Sequence, residues 1–322
     1  MQLRFLGTSA GVPTRARNVS ALALIPEGQR RWMLIDCGEG TQHQLMRTPL
    51  SAARLEAVLI THVHGDHCYG LPGLLASASM AGRRAPLTII GPPAVRDYIE
   101  AVTATTGLFL GFELRHVDAA TLVDAPLALP DVIVRAARLS HGVECYAYAF
   151  EERHVEAGLN VGKLRAEGVT AGPLWGRLQR GETVIDEQGR KLSGADYQLP
   201  SRDARRLVVA GDNDTPDLLA ELCQGADVLV HEATYTEAVI ERQGTDHGHS
   251  SAARIGAFAA EAGISGLVLT HFSPRYVSRP GAAHCIDEIE QEARGHFGAT
   301  LMLAEDLAVF ELSRDHGLHR CE

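Results

Sequence analysis

Short apolar runs, each closed by small or turn-forming residues, dominate the first two thirds of the chain. Leu3-Arg4-Phe5-Leu6, Ala21 to Pro26, Trp32 to Ile35 and Ala57-Val58-Leu59-Ile60 read as successive strands. The last is apolar throughout, as expected of a strand buried on both faces. Leu71 to Ala81 and Ala94 to Thr106 read as helices, the second after the punctuating Gly91-Pro92-Pro93, with a strand at Leu87 to Ile90 between them. Further strands are expected at Phe112 to Val117, Val132 to Leu139, Leu207 to Ala210, Asp227 to Val230 and Gly266 to Leu269. Helices are expected near Gly40 to Arg47, Pro216 to Cys223 and Ser250 to Ala262. The stretch from about Glu151 to Pro200 breaks this rhythm: apolar periodicity weakens and glycines multiply. Strands alternating with helices give an α/β class.

The residues on which the strands stop change the picture. Asp36, His62, His141, Asp212, His231 and His271 each follow or end an apolar run, and open α/β sheets place their ligand sites at such strand mouths. The densest case is Thr61-His62-Val63-His64-Gly65-Asp66-His67. Imidazole nitrogen and carboxylate oxygen are zinc ligands. In extended backbone His62 and His64 project to one side, and Gly65 lets the chain turn so that Asp66 and His67 face back. His62, His64 and His141 would bind one ion and Asp66, His67 and His271 a second, with Asp212 bridging. Such a site suits hydrolysis, because paired ions lower the pKa of water towards about 7 and neutralise charge on a phosphoryl or carbonyl oxygen. A leaving oxygen also needs a proton, for which His249 at a helix head is the candidate and His247 the competitor. Asp36 either orients a ligand histidine or caps the following helix. The turn Gly7-Thr8-Ser9-Ala10-Gly11-Val12-Pro13 lacks the Gly-Lys-Ser/Thr of a P-loop and reads as structural.

Composition narrows the partners. With 45% apolar and 22% charged residues the 322-residue chain is of globular type, without a membrane-length apolar run or a signal pattern. Six scattered cysteines with no Cys-x-x-Cys pair point to reduced thiols and a cytoplasmic setting. A net charge of −10 weighs against nucleic acid, whose binders carry a basic footprint. The exception is Lys163, Arg165, Arg177 and Arg180 against the single Glu167, either a phosphate-facing surface or an ordinary solvated insertion.

The histidine cluster with His141, Asp212 and His271 resembles the metallo-β-lactamase superfamily. Phe5 to Thr14, Asp36-Cys37-Gly38-Glu39-Gly40-Thr41-Gln42, His231-Glu232-Ala233-Thr234, Gly248-His249-Ser250 and Thr270 to Tyr276 make the chain similar, nearly end to end, to the ribonuclease Z family of tRNA 3′-processing endoribonucleases. The chain resembles in particular the bacterial short form, also called ribonuclease BN. The resemblance implies an αβ/βα sandwich over 1–322 forming a single catalytic domain, and two Zn²⁺ per chain with Mn²⁺ or Co²⁺ as substitutes. It implies the ligand assignment above, with Asp66 as a base near the nucleophile and His249 as proton donor. It makes about 151–200 an inserted arm that grips precursor tRNA, with Gly172-Pro173 as its Gly-Pro element and Lys163, Arg165, Arg177 and Arg180 as contacts. In relatives such an arm reaches to substrate held by the other subunit of a homodimer. Two departures stand out: Asn213 where relatives have a threonine after the bridging aspartate, and Thr170-Ala171 where they often have prolines. The alternatives are a hydrolase of small esters, thioesters or cyclic phosphodiesters on the same fold, and a non-catalytic RNA-binding member.

Overall fold

Valines and leucines placed alternately on the two faces of parallel strands require cover on both sides, and the fold provides it. The computed structural model describes residues 1–243, 248–279 and 281–321. Two compact units emerge, Met1–Glu151 with Arg205–Glu322, and Glu152–Ala204.

In the larger unit an eight-stranded sheet runs in the order Leu318–Cys321, Val309–Leu312, Gln2–Gly7, Ala21–Ile25, Trp32–Ile35, Leu55–Leu59, Leu87–Gly91, Leu114–Asp118. Its last four strands are parallel. A seven-stranded sheet runs Thr300–Leu303, Gly266–Thr270, Val228–Glu232, Arg206–Val209, Cys145–Glu152, Val132–Leu139, Leu127–Ala128, and its first four are parallel. The sheets pack face to face: Phe5, Met33, Ile35 and Leu59 from one join Tyr148, Val209, Val230 and Val268 from the other in one buried cluster. The alternate residues face outward under helices. Leu34 and Val58 lie with Leu71 and Leu75 of the helix Leu71–Met80 and Ile99 of Pro93–Thr106. Val208 and Leu229 lie with Ile255 and Ala259 of Ala252–Glu261 and Ile289 of Ile286–Arg294. This αβ/βα layering brings the C-terminal ends of both sets of parallel strands to the histidine motif.

Several elements depart from the sequence reading. The expected helix from Pro216 is a single 3₁₀ turn, Pro216–Leu219. The helix near Gly40 spans Thr41–Leu45, and the edge strand starts at Leu114. All six cysteines are unpaired, five of them buried. No helix among the described residues is long and apolar enough to cross a membrane.

The smaller unit has its own core of Leu164, Val169, Leu178, Val184, Leu192 and Tyr197. Around it stand the helices Val161–Ala166 and Pro173–Gln179 and two short antiparallel ladders, Gly158–Leu159 with Gln198–Leu199 and Thr183–Ile185 with Lys191–Ser193.

Candidate active site

The strand Leu55–Leu59 ends two residues before Thr61, and His62 follows in a fully buried position. His64 is extended, and the short helix Gly65–Cys68 turns Asp66 and His67 back towards His62. His62, His64 and His141 present three nitrogens within 4.8 Å of one another, and Asp66, His67 and His271 form a second such group. Asp212 lies between them. Its Oδ1 is 3.5 Å from both His67 Nε2 and His271 Nε2. Its Oδ2 is 3.6 Å from His62 Nε2 and 3.7 Å from His141 Nε2.

The ring orientations are fixed from behind. His67 Nδ1 donates to Asp36 Oδ2 (2.8 Å) and His141 Nδ1 to the Gly248 carbonyl (2.8 Å). Thr61 Oγ1 spends its hydrogen on Asp36 Oδ2 (2.9 Å) and so accepts from His62 Nδ1 (3.0 Å). Thr234 Oγ1 lies against the Glu232 carboxylate and the His271 carbonyl, both acceptors, so its one hydrogen is spent between them and it likewise accepts from His271 Nδ1 (3.0 Å). With the outer nitrogens carrying hydrogen, four inner Nε2 atoms are left as lone-pair donors. His64 differs, turning its Nδ1 to His141 Nε2 at 3.0 Å. That approach, and the 3.2 Å between His67 Nε2 and His271 Nε2, set nitrogen against nitrogen, which is repulsive unless a proton or cation is shared. His62 Nε2 is buried with no hydrogen-bond partner among the described residues. The donor set fits divalent cations of the zinc type, and the site is one built to bind metal.

Charge in the protein alone follows the same logic. Burial opposes ionisation at His67, but Asp212 and Asp36 raise it well above the usual imidazole value. Burial and His67 push His62 well below it. Burial would raise the Asp212 carboxyl, yet His271, His67 and His62 hold it well below the usual range. Backbone strain is also concentrated here. Asp36 and His271 are non-glycine residues at φ 57° and 55°, a conformation worth about 1–3 kcal/mol of strain each that tertiary contacts must hold in place.

Of the two roles open to Asp36, the structure shows the orienting one, because Gly40 caps the following helix without a side-chain bond. His231, named among the strand-end residues but not among the expected ligands, stays out of the cluster. It lies within the strand Val228–Glu232, its Nδ1 on the Glu232 carbonyl (2.8 Å) and its Nε2 beside Asn213 Nδ2 (3.4 Å), and belongs to no metal-holding group among the described residues. Its neighbour Glu232 is the residue that sequence reasoning passed over. Glu232 Oε1 lies 3.0 Å from His249 Nδ1 and accepts from the Asn213 and Ser250 amides. Burial alone would lower His249, but Glu232 raises it to about 9. His249 also sits 3.8 Å from Asp212 Oδ2. His247 lies outside the described residues. Asn213 is fully buried, its Oδ1 accepting from the Ser140 and Thr215 amides (3.3 and 3.2 Å), so it ties two strand mouths together.

In the smaller unit, Lys163 donates to the Asp196 carbonyl (2.9 Å) and lies over the Tyr197 ring. Arg177 and Arg180 donate through Nε to the two oxygens of Glu182 at 2.7 and 3.0 Å. Arg165 is exposed. Gly172 precedes the helix opened by Pro173. Residues 152–204 hold eight lysines and arginines and eight aspartates and glutamates. The local excess read from Lys163 to Arg180 is therefore cancelled within the unit.

Sheets, helices and a histidine–aspartate cluster at the strand mouths define a metallo-β-lactamase-fold protein. The metallo-β-lactamase-fold protein YhfI from Bacillus subtilis superposes with a TM-score of 0.65 at 20% identity, over 96% of this chain and 98% of that one. Human tRNase Z, short form, superposes with a TM-score of 0.66 at 26% identity, over 97% and 100%. A family model described as Anti-Pycsar protein Apyc1 matches residues 1–103. A ribonuclease Z of Pseudomonas putida (strain W619) is 52% identical over 99% of both chains. A ribonuclease BN of Escherichia coli O6:K15:H31 (strain 536 / UPEC) is 43% identical over 97% of this chain and 100% of its own. The chain belongs to the ribonuclease Z family.

Proposed function

We propose that the protein is a two-metal endoribonuclease that removes the 3′ trailer from precursor tRNA and leaves a 3′-hydroxyl. The observation that carries the reading is Asp212, whose two oxygens each face a separate histidine group. His62 Nε2, His64 Nδ1 and His141 Nε2 would hold one ion, and Asp66, His67 Nε2 and His271 Nε2 the other, with Asp212 shared. Two Zn²⁺, or Mn²⁺ or Co²⁺ in their place, supply Lewis acidity and a water of low pKa when bound. Asp66 orients the attacking water and takes its proton. His249 stands beside Asp212 as the acid that protonates the leaving ribose oxygen, and Glu232 keeps it charged at neutral pH. The four fixed tautomers keep the ligand nitrogens from taking part in this proton traffic.

The family's relatives named ribonuclease Z, and the solved human tRNase Z, support RNA as substrate. The unit Glu152–Ala204 serves in this reading as the arm that grips tRNA through Lys163, Arg165, Arg177, Arg180 and the Gly172-Pro173 element. The working form is a cytoplasmic homodimer. Purified protein is incubated with a precursor tRNA and Zn²⁺ or Mn²⁺, and the products are mapped to the nucleotide. Cleavage next to the discriminator base, lost in His64→Ala, is expected. No such cleavage, with His64→Ala indistinguishable from the unaltered protein, rejects the reading.

A further inference from the structure

The loop from Gly7 to Asn18 takes no part in the chemistry above, yet it ends against it. Gly11, at φ 69°, donates its backbone N–H to Asp66 Oδ2 at 2.7 Å. The same oxygen lies 3.3 Å from His271 Nε2 and 3.5 Å from His67 Nε2. A carboxylate oxygen has two lone-pair directions, so an N–H on one leaves the other aimed at the histidine pair. Without that N–H the carboxylate is free to turn about its Cβ–Cγ bond, a broad and shallow torsion.

Both ends of the loop meet on one distant carboxylate. Thr8 Oγ1 donates to Asp306 Oδ1 (2.8 Å), and the Asn18 amide donates to Asp306 Oδ2 (2.6 Å). Gln44 Nε2, from the helix Thr41–Leu45, donates to the same Oδ2 (2.7 Å). Arg17 completes the clasp, its Nη1 donating to Thr8 Oγ1 and the Ala304 carbonyl (3.0 Å each) and its guanidinium lying 4.8 Å above the Phe272 ring. Phe272 follows His271, and its amide and carbonyl pair with Thr8 and Ala10. The loop is thus tied to the chain beside one proposed ligand, and its free turn is delivered to another.

We propose that Asp306 is a positioning residue for Asp66, acting by closing the Gly7–Asn18 loop so that the Gly11 amide holds Asp66 Oδ2 towards the ion shared with His67 and His271. This rests on the proposed role of Asp66 as a metal ligand. Asp306→Asn keeps the shape but replaces one accepting oxygen with a donor, so the donors at Asn18, Gln44 and Thr8 can no longer all be met.

The test is a zinc titration of the metal-stripped full-length protein, with steady-state hydrolysis of bis(p-nitrophenyl) phosphate alongside. Changes in groups that orient metal ligands weaken metal binding or activity by about 10–100-fold. In Asp306→Asn the weaker zinc site is expected to lose about that factor, with kcat falling and KM nearly unchanged. In an Asp66→Asn background, Asp306→Asn is expected to add less than about a twofold further loss, because the two act through one contact. Thr8→Val, which removes one strand of the clasp, should shift the zinc titration in the same direction by less and replaces Asp306→Asn if that variant does not fold. Unchanged zinc binding, or losses that multiply in the double variant, overturns the proposal. An unaltered protein that takes up zinc and shows the Asp306 effect but does not cut precursor tRNA supports this inference while rejecting the RNA reading. One that binds none of Zn²⁺, Mn²⁺ and Co²⁺ rejects both.

Discussion

Asp212 is 3% exposed and lies at ion-pair distance from five imidazoles. Glu182, whose side chain is 39% exposed, holds two guanidiniums. In the first case every partner is fixed by another residue behind it, from Asp36 to Thr61, Thr234 and Gly248. In the second the partners are long side chains in water, where an ion pair is worth little. A buried cluster of this kind has one arrangement and one chemistry. The charges of the smaller unit can exchange one partner for another, which is what its proposed role against a phosphate backbone would require.

Breaking the buried side should have the largest effect. Asp212→Ala removes a group common to both proposed ions, whose transition-state contribution is several kcal/mol. At about 1.4 kcal/mol per tenfold, a loss of about 10³-fold in kcat is expected on both precursor tRNA and a small phosphodiester. Metal content by elemental analysis should fall with it. Retention of two ions and near-normal turnover would remove Asp212 from the centre of the site.

Removing the arm separates the two regions. Deletion of 155–198 should abolish detectable cleavage of precursor tRNA while sparing hydrolysis of a small chromogenic phosphodiester, since the unit carries its own core and none of the proposed metal ligands. Equal loss of both activities would show that the segment supports the catalytic unit instead.

A third expected effect is confined to pH. His249 is held at about 9 by Glu232 against the desolvation that would lower it. A raised imidazole value means that the acid form is fully present below the ordinary value of about 6.5 and is lost as pH rises through the raised one. Glu232→Gln removes the raising charge, so its alkaline limb should move down, and the deficit should open between about 6.5 and 9. General acid catalysis is worth about 10²–10⁴-fold, so a loss of ten- to a hundredfold near pH 8 that shrinks on acidification is expected. A uniform loss across pH would assign Glu232 to architecture alone, through Asn213 and Ser250.

The same contrast governs what could be read from the sequence. Parallel strands buried on both faces give unbroken apolar runs, so their ends were visible, and with them the residues gathered by the cluster. His231 stays out of the cluster because the strand runs two residues further than its apolar part, to Glu232. Alternation then sends His231 to one face and Glu232 to the other, and Glu232 is the one beside His249. The strand Cys145–Glu152 escaped because its alternating tyrosines and alanines carry no ligand and no strong turn signal. The supports behind the proposed ligands come from Thr61, Thr234 and the Gly248 carbonyl, and hydroxyls and backbone carbonyls have no sequence signature. The arm's core of six side chains is spread from Leu164 to Tyr197, so no short window shows a period. Its balance of charge was hidden for a related reason: Glu182, the acid that holds Arg177 and Arg180, lies just beyond the basic stretch.

That neutralisation yields the smallest and most discriminating prediction. Arg177→Ala should weaken precursor-tRNA binding by about three- to tenfold and reduce the slope of log affinity against log salt by about 1, the signature of one lost phosphate contact. Glu182→Gln should do the opposite. It releases both guanidiniums from the carboxylate that now holds them, so binding should tighten at low salt and the salt slope should steepen. Turnover of a small phosphodiester should stay within about twofold in both variants, because an exposed pair contributes little to stability. Two variants that change one ion pair from its two sides, with opposite signs in affinity and none in chemistry, are what an exchangeable surface predicts. If Glu182→Gln weakens binding as Arg177→Ala does, the pair is a structural brace, and the tRNA is held by other residues of the arm.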